Sequence, residues 1–453
     1  MLKCLHLKII GIFLMRLVKS APSLTLAITI LFAAVMPSSA GIGDLFMTLL
    51  ASRTSEHYAA QTPEESAKLL RKTAEQGDAN AQFKLGYYYA VGHGVEQDYT
   101  EAVKWFRKSA EQGNAVAQLY LGWSYVNELG VEKNYVEAAK WYREAAEQGN
   151  KWAQNYLGLL YERGQGVKQD YVEAAKWYRQ SADRGLANAQ NNLAVLYAKG
   201  RGVEQNQEVA VKLYRKAARQ GYASAQFNLG YRYEIGYGLK QNYMEAAMLY
   251  RRAADQGHSG AQNNLGILYK KGQGVENDHA EAAKWYRKSA EQGDERAQNH
   301  LGLLYAQGQG VEQDYIEAAK WYRKAAEQEN ASAQNHLGWL YNKGQGVEQN
   351  YIEAAKWYRK AAEQGDAWAQ NNLGWLYDQG HGVERDYVEA SKWYQKAAEQ
   401  GNVKAQNNLA LLYEKGRGIE QNYIEAAKWY RKAAEQGNEY ARERLEQIQN
   451  EKN

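Results

Sequence analysis

Cysteine and proline are almost missing from this chain. Cys4 is the only cysteine in 453 residues, and the prolines are Pro22, Pro37 and Pro63. Beyond residue 63 there is therefore no disulfide, no thiol nucleophile, no cysteine metal ligand and no proline-marked turn. Glycine, with 41 residues, must supply nearly all the punctuation, which favours helices over a β-fold with proline-marked turns.

Acids are absent from the first forty residues, where Lys3, Lys8, Arg16 and Lys19 are basic. An apolar run of 13 residues from Leu24 to Met36 follows, then Pro37, Ser38, Ser39 and Ala40. A bilayer span needs about 20 apolar residues, so this run is short of one. Basic segment, apolar run and small residues together form a secretory signal over 1–40, with cleavage expected after Ala40. N-terminal sequencing that begins elsewhere would refute that site. Met15 is a second candidate start. The mature protein is expected to be periplasmic or secreted, without a stable membrane span; anchoring by an uncleaved segment is the alternative.

The 56 basic and 52 acidic side chains differ by those four N-terminal bases alone. The mature chain is neutral, so charge gives no reason to expect nucleic acid as a partner.

The remainder is periodic. Gly77, Gly113, Gly149, Gly185, Gly221, Gly257 and Gly293 stand 36 residues apart; Glu329 takes the next place, and Gly365, Gly401 and Gly437 resume the series. Ten units of 36 residues run over 79–438 without insertion or deletion. In each, Ala, Leu and Tyr recur at i, i+4 and i+8, as in Ala81, Leu85 and Tyr89, which is one buried face of a helix. A Gly-x-Gly turn follows, as in Gly92-His93-Gly94, and then Asp98 or its equivalent Asp or Asn begins a second helix. Glu101 and its counterparts stand three residues later, the spacing of a capping box, with only Val209 departing. The second helix buries Ala102, Val103, Trp105, Phe106 and Ala110, and the repeat glycine ends it. Glu329 in that glycine's place predicts local strain. One unit is too small to bury its own apolar faces, so neighbours must stack. Residues 41–63 read as a leader, 64–78 as an N-terminal capping helix and 439–453 as a C-terminal capping helix.

The combination Ala117-Gln118, Leu121-Gly122, Tyr125, Asn134-Tyr135, Glu137-Ala138 and Lys140-Trp141-Tyr142, repeated tenfold, resembles the Sel-1-like repeat, a relative of the tetratricopeptide repeat. Departures are few: Leu213 and Leu249 for the Trp, Ala194 and Ala410 for the first-helix Gly, and Glu128 in one Gly-x-Gly. The resemblance implies an all-α fold, a right-handed α/α superhelix or solenoid of about ten two-helix repeats. It also implies a scaffold or adaptor for protein complexes, exported in many bacterial members and engaged in envelope signalling or host contact. Cysteine-rich relatives linked to β-lactam binding are not a guide, because those cysteines are missing here.

By the same resemblance, the residue two after the invariant Leu faces the groove: Tyr87, Trp123, Leu159, Val195, Tyr231, Ile267, Leu303, Trp339, Trp375 and Leu411. Two before the Leu stand Asn155, Asn191, Asn263, Asn299, Asn335, Asn371 and Asn407, whose amides suit a peptide backbone or sugar hydroxyls. An inter-repeat hydrogen-bond ladder or a solvated face is the competing reading of that row. Trp152 and Trp368 add two large anchors. The Trp105 series reads as core.

His300 and His336 share a repeat position, but nothing with zinc-like spacing accompanies them. No H-E-x-x-H, G-x-S-x-G or mature S-x-x-K motif occurs, and the Gly-x-Gly turns lack the strand context of a dinucleotide site. No enzyme, cofactor or metal is expected. The leading reading is a groove that holds a protein or peptide. Second is a carbohydrate-binding module for cell-wall glycan, and a remote third is a hydrolase.

Overall fold

A computed structural model describes residues 62–450. The expected signal segment 1–40 and nearly all of the leader 41–63 lie outside the described residues. Two compact units divide the chain, Met1–Ala217 and Ala218–Asn453. The described residues hold 22 helices and no strand, and in each unit consecutive helices pack on one another. The first unit runs from Pro63–Glu75 through pairs such as Ala79–Val91 with Tyr99–Glu111 and Ala115–Asn127 with Tyr135–Glu147. The second runs from Ala223–Ile235 with Tyr243–Asp255 through Ala331–Lys343 with Tyr351–Glu363 to the closing helix Glu439–Asn450. No described helix is long and apolar enough to cross a membrane.

The Ala/Leu face is buried as the spacing requires: Ala117, Leu121, Ala297, Leu301, Ala333 and Leu337 are all at 0% exposure. Against it lies the tyrosine that follows the second-helix Trp, and Tyr142, Tyr178, Tyr250 and Tyr358 are 2% exposed or less. This ring explains the Leu-Gly dipeptide. A Cβ on Gly122 would stand 2.7 Å from the Tyr142 ring, so glycine is what lets the two helices close. The Trp105, Trp141, Trp177, Trp285, Trp357 and Trp429 side chains are buried as well.

Helix ends are handled by side chains. Asp98 Oδ1 accepts from the N–H groups of Thr100 and Glu101, at 2.8 and 3.0 Å, and each later Asx with a described cap does likewise. Among the described caps the capping box closes at the helix Pro63–Glu75, where Thr62 and Glu65 exchange hydrogen bonds and Pro63 takes the first helical position. That helix accordingly begins one residue before the expected span. In the repeats the Asx N–H is already engaged, since Asp98 N donates to Tyr89 O at 3.0 Å. The glutamate instead turns forward to the lysine three residues on, as in Glu317 with Lys320 at 2.5 Å and Glu425 with Lys428 at 3.0 Å. Such exposed pairs contribute about 0–1 kcal/mol each.

Three polar contacts join successive repeats. The Gln of Ala-Gln donates to the last turn of the preceding second helix, as Gln298 Nε2 does to Ala290 O at 3.1 Å. Its Oε1 accepts from the Gln before the repeat glycine, as from Gln328 Nε2 at 2.8 Å. A second-helix arginine donates to the hydroxyl of the next invariant Tyr, as in Arg107 to Tyr125 at 2.6 Å and Arg323 to Tyr341 at 2.7 Å. The second turn glycine presses on the preceding unit: a Cβ on Gly346 would lie 2.1 Å from Tyr315 O. Glu329 does sit in the left-handed region expected to strain it, at φ 68°, as does Glu128 at φ 61°.

Candidate partner-binding surface

Each first helix carries its Leu on the core side, so the residue two positions on turns about 200° around the helix and away from it. None of the ten residues in that row is buried. Tyr87, Trp123, Leu159, Val195, Ile267, Leu303, Trp375 and Leu411 are half-buried, whereas Tyr231 and Trp339 are exposed at 45% and 38%. Trp123 and Trp375 also lean on the core clusters beside them. Burial pushes the Tyr87 hydroxyl well above its ordinary range, with Tyr120 beside it, so it stays protonated.

The asparagine row sits differently from the outward placement suggested by its amides. Asn155, Asn191, Asn263, Asn299 and Asn371 are buried, and Asn335 and Asn407 are half-buried. Their carbonyl oxygens accept from the next unit: Asn192 to Asn155 at 3.2 Å, Asn372 to Asn335 and Asn408 to Asn371 each at 3.1 Å. The competing ladder geometry is thus what Asn155, Asn263, Asn299, Asn335 and Asn371 adopt, whereas Asn407 Oδ1 is buried without a partner. The physical reason is that this helix face meets the neighbouring first helix, where an unpaired amide would be costly.

His300 and His336 belong to the same ladder. Their Nδ1 atoms lie 3.0 Å from Asn263 Oδ1 and Asn299 Oδ1, and their rings stand 5.0 and 4.9 Å from Tyr286 and Tyr322. Burial pushes both pKa values down to about 4, which leaves the rings neutral at neutral pH. Among the described residues no three His, Cys, Asp or Glu side chains gather into a metal-binding group.

The two added tryptophans part company. Trp152 is buried at 7%, whereas Trp368 is exposed at 56% with Lys404 Nζ 5.9 Å from its ring. The first fills the repeat interior and the second is available to a partner.

Two further exposed apolar features lie outside these rows. Ile235 and Tyr237 are exposed beside Tyr231, and Tyr231 and Ile235 share a helix face at i, i+4. Along seven of the ten second helices, the second residue is exposed and apolar: Val136 and Val172 in the first unit, Met244, Ile316, Ile352, Val388 and Ile424 in the second. Its 36-residue recurrence was readable, but a single apolar residue in a polar first turn carries no periodic signal.

In each unit, two-helix repeats packed in succession, with a partly exposed hydrophobic residue on every first helix, define an α-solenoid of the tetratricopeptide-like class. The Sel1 repeat matches at residues 62–78, 79–114, 115–150, 153–186, 187–222, 223–258, 259–294, 295–330, 331–366, 369–402 and 403–438. The chain belongs to the Sel1 repeat family. Among solved structures it is similar to c5321, a protective antigen of uropathogenic Escherichia coli strains, with 40% identity and a TM-score of 0.75 over 84% of this chain and 82% of that one. It is also similar to a Sel1 repeat protein from Oxalobacter formigenes, at 35% identity and a TM-score of 0.52, over 73% of this chain and 99% of the other. No curated protein matches.

Proposed function

We propose that this protein is an exported, non-catalytic scaffold that holds a protein or peptide partner along the hydrophobic row of its first helices. One observation carries the reading: ten successive residues from Tyr87 to Leu411, varied in identity, stay at least partly exposed while every neighbouring Ala and Leu of the core face is buried. Aromatic residues that protrude from a rigid frame are the usual anchors of protein interfaces. Export rests on the basic and apolar segment before Ala40. The likeness to c5321, a protective antigen, supports it.

The test places a photo-crosslinking residue at Trp339 and, in a separate variant, at Ile352, each in the native cell. Capture of one protein from position 339 is expected, with affinity lowered at least about tenfold by Tyr231→Ala combined with Trp339→Ala. Thermal melting checks that this pair leaves the fold intact. Capture from position 352 alone moves the partner to the second-helix row. Binding of muropeptides that resists both substitutions points to glycan recognition elsewhere. If the double variant binds every captured partner as well as the parent does, the first-helix surface is not the site.

A further inference from the structure

One junction in the first unit breaks the glutamine ladder. Of the eleven residues that precede the repeat glycine or its Glu329 substitute, ten are Gln and one is Arg184. At ordinary junctions the Gln donates back to the preceding Ala-Gln, as Gln112 does to Gln82 at 2.7 Å and Gln148 to Gln118 at 2.8 Å. At position 184 the corresponding acceptor is Gln154, which is 2% exposed. Its Nε2 donates to Ala146 O and Gln180 Oε1, at 3.1 and 3.2 Å, but its Oε1 is buried with no partner. Trp177 Nε1 is likewise buried and unpartnered, as are Trp141 Nε1 and Trp285 Nε1.

At this junction an open pocket of about 350 Å³ forms, lined by Gln154, Trp177, Gln180 and Arg184 with Glu147 and Gly149. The guanidinium has swung over the preceding turn, so that a Cβ on Gly149 would lie 2.9 Å from Nη2. Arg184 forms no ion pair with another described residue. The pocket's lining therefore supplies a planar cationic fork and, in Gln154, a buried carbonyl oxygen without a donor, whereas the unpartnered indole N–H recurs at Trp141 and Trp285 and is not particular to this junction.

We infer that this pocket binds a small molecule with one carboxylate and an N–H or O–H next to it. The carboxylate pairs with Arg184, whose fork matches its two oxygens. The adjacent donor satisfies Gln154 Oε1, and the Trp177 ring forms one wall of the site. Glu147 at the rim disfavours a second negative charge. Two sources share this chemistry, the C-terminus of a short peptide and a sugar acid, and neither depends on the first-helix row.

Acetyl-alanyl-alanine, its C-terminal amide and galacturonate are titrated into the full mature chain by calorimetry, with the Trp177 indole N–H followed by NMR. One of the two acids is expected to bind with a Kd on the order of 1 mM or tighter and to shift that indole signal. If the peptide is the ligand, its amide should bind at least about tenfold more weakly. Arg184→Gln restores the residue found at the other junctions, so it should raise the melting temperature while weakening the bound acid at least about tenfold. That pairing separates lost binding from lost folding. The acid that binds identifies the source. Equal binding to the parent and to Arg184→Gln overturns the inference, as does no binding of either acid at about ten times that concentration.

Discussion

Residues 259–438 and residues 184–249 are built on the same 36-residue plan and keep it with very different fidelity. In 259–438 every first helix is capped by a side chain, from His258, Asp294, Asn330, Asp366 or Asn402. Every second helix there carries its Trp, from Trp285 to Trp429. In 184–249 Leu186 and Tyr222 make no cap bond, Val209 replaces the glutamate, Leu213 and Leu249 replace the Trp, Ala194 replaces Gly, and Arg184 breaks the ladder. Yet the helices are still 13 residues long, and Gly200, Gly202, Gly236 and Gly238 keep φ between 66° and 78°. What both stretches share is the Ala/Leu/Tyr face, the buried second-helix tyrosine and the two turn glycines. Those fix the unit, and caps and Trp only adjust its stability.

The sharpest way to break the comparison is at a glycine that the regular stretch cannot replace. Gly346→Ala sets a Cβ against Tyr315 O at a left-handed φ of 67°, whereas Gly365→Ala meets nothing within 4 Å at φ 94°. Urea unfolding should show a loss of at least about 3 kcal/mol for the first and roughly 1 kcal/mol for the second. Similar losses would show that close approach to the preceding helix is not what holds the turn.

Next in size is a pH effect confined to the regular stretch. His300 and His336 have folded pKa values of about 4, below the ordinary 6.5. Between these values the unfolded chain binds a proton that the folded chain does not, so stability falls as pH drops from about 6.5 to 4. Each histidine contributes on the order of 2 kcal/mol to that fall, allowing for partial solvent access. Asn, the residue at positions 192, 372 and 408, preserves the ladder without titrating. His300→Asn with His336→Asn should therefore flatten melting temperature against pH across that window. An unchanged slope would assign the acid sensitivity elsewhere.

The smallest effects repair local departures. Tyr222→Asn supplies a missing cap and Glu329→Gly relieves a left-handed residue, and each should stabilise by about 1 kcal/mol in thermal melting. No gain from Glu329→Gly would mean that its φ of 68° is tolerated without strain.

The sequence alone discloses the repeat, the core face and the helix ends, because Ala81, Leu85, Tyr89 and Asp98 recur in register and each has a local reason. What it conceals lies between units. Gln82 reads as a polar helix residue, and nothing local announces that Gln112, thirty residues later, donates to it. Asn155 and Asn371 read as outward amides until the angle between neighbouring first helices is known, and that angle comes from packing rather than from spacing. The row from Tyr87 to Leu411 was legible only through family resemblance, and the pocket at Arg184 only once its ladder partner was seen to lack a donor.

The contact of Gly346 with Tyr315 O and its counterparts also constrains how such a chain can change length. One added residue anywhere inside a unit would slide that turn off the helix before it and misplace the glutamine pair in the same stroke. Growth or shortening is thus quantised: material enters or leaves in whole blocks, and the number of blocks is a digital setting rather than a continuous one.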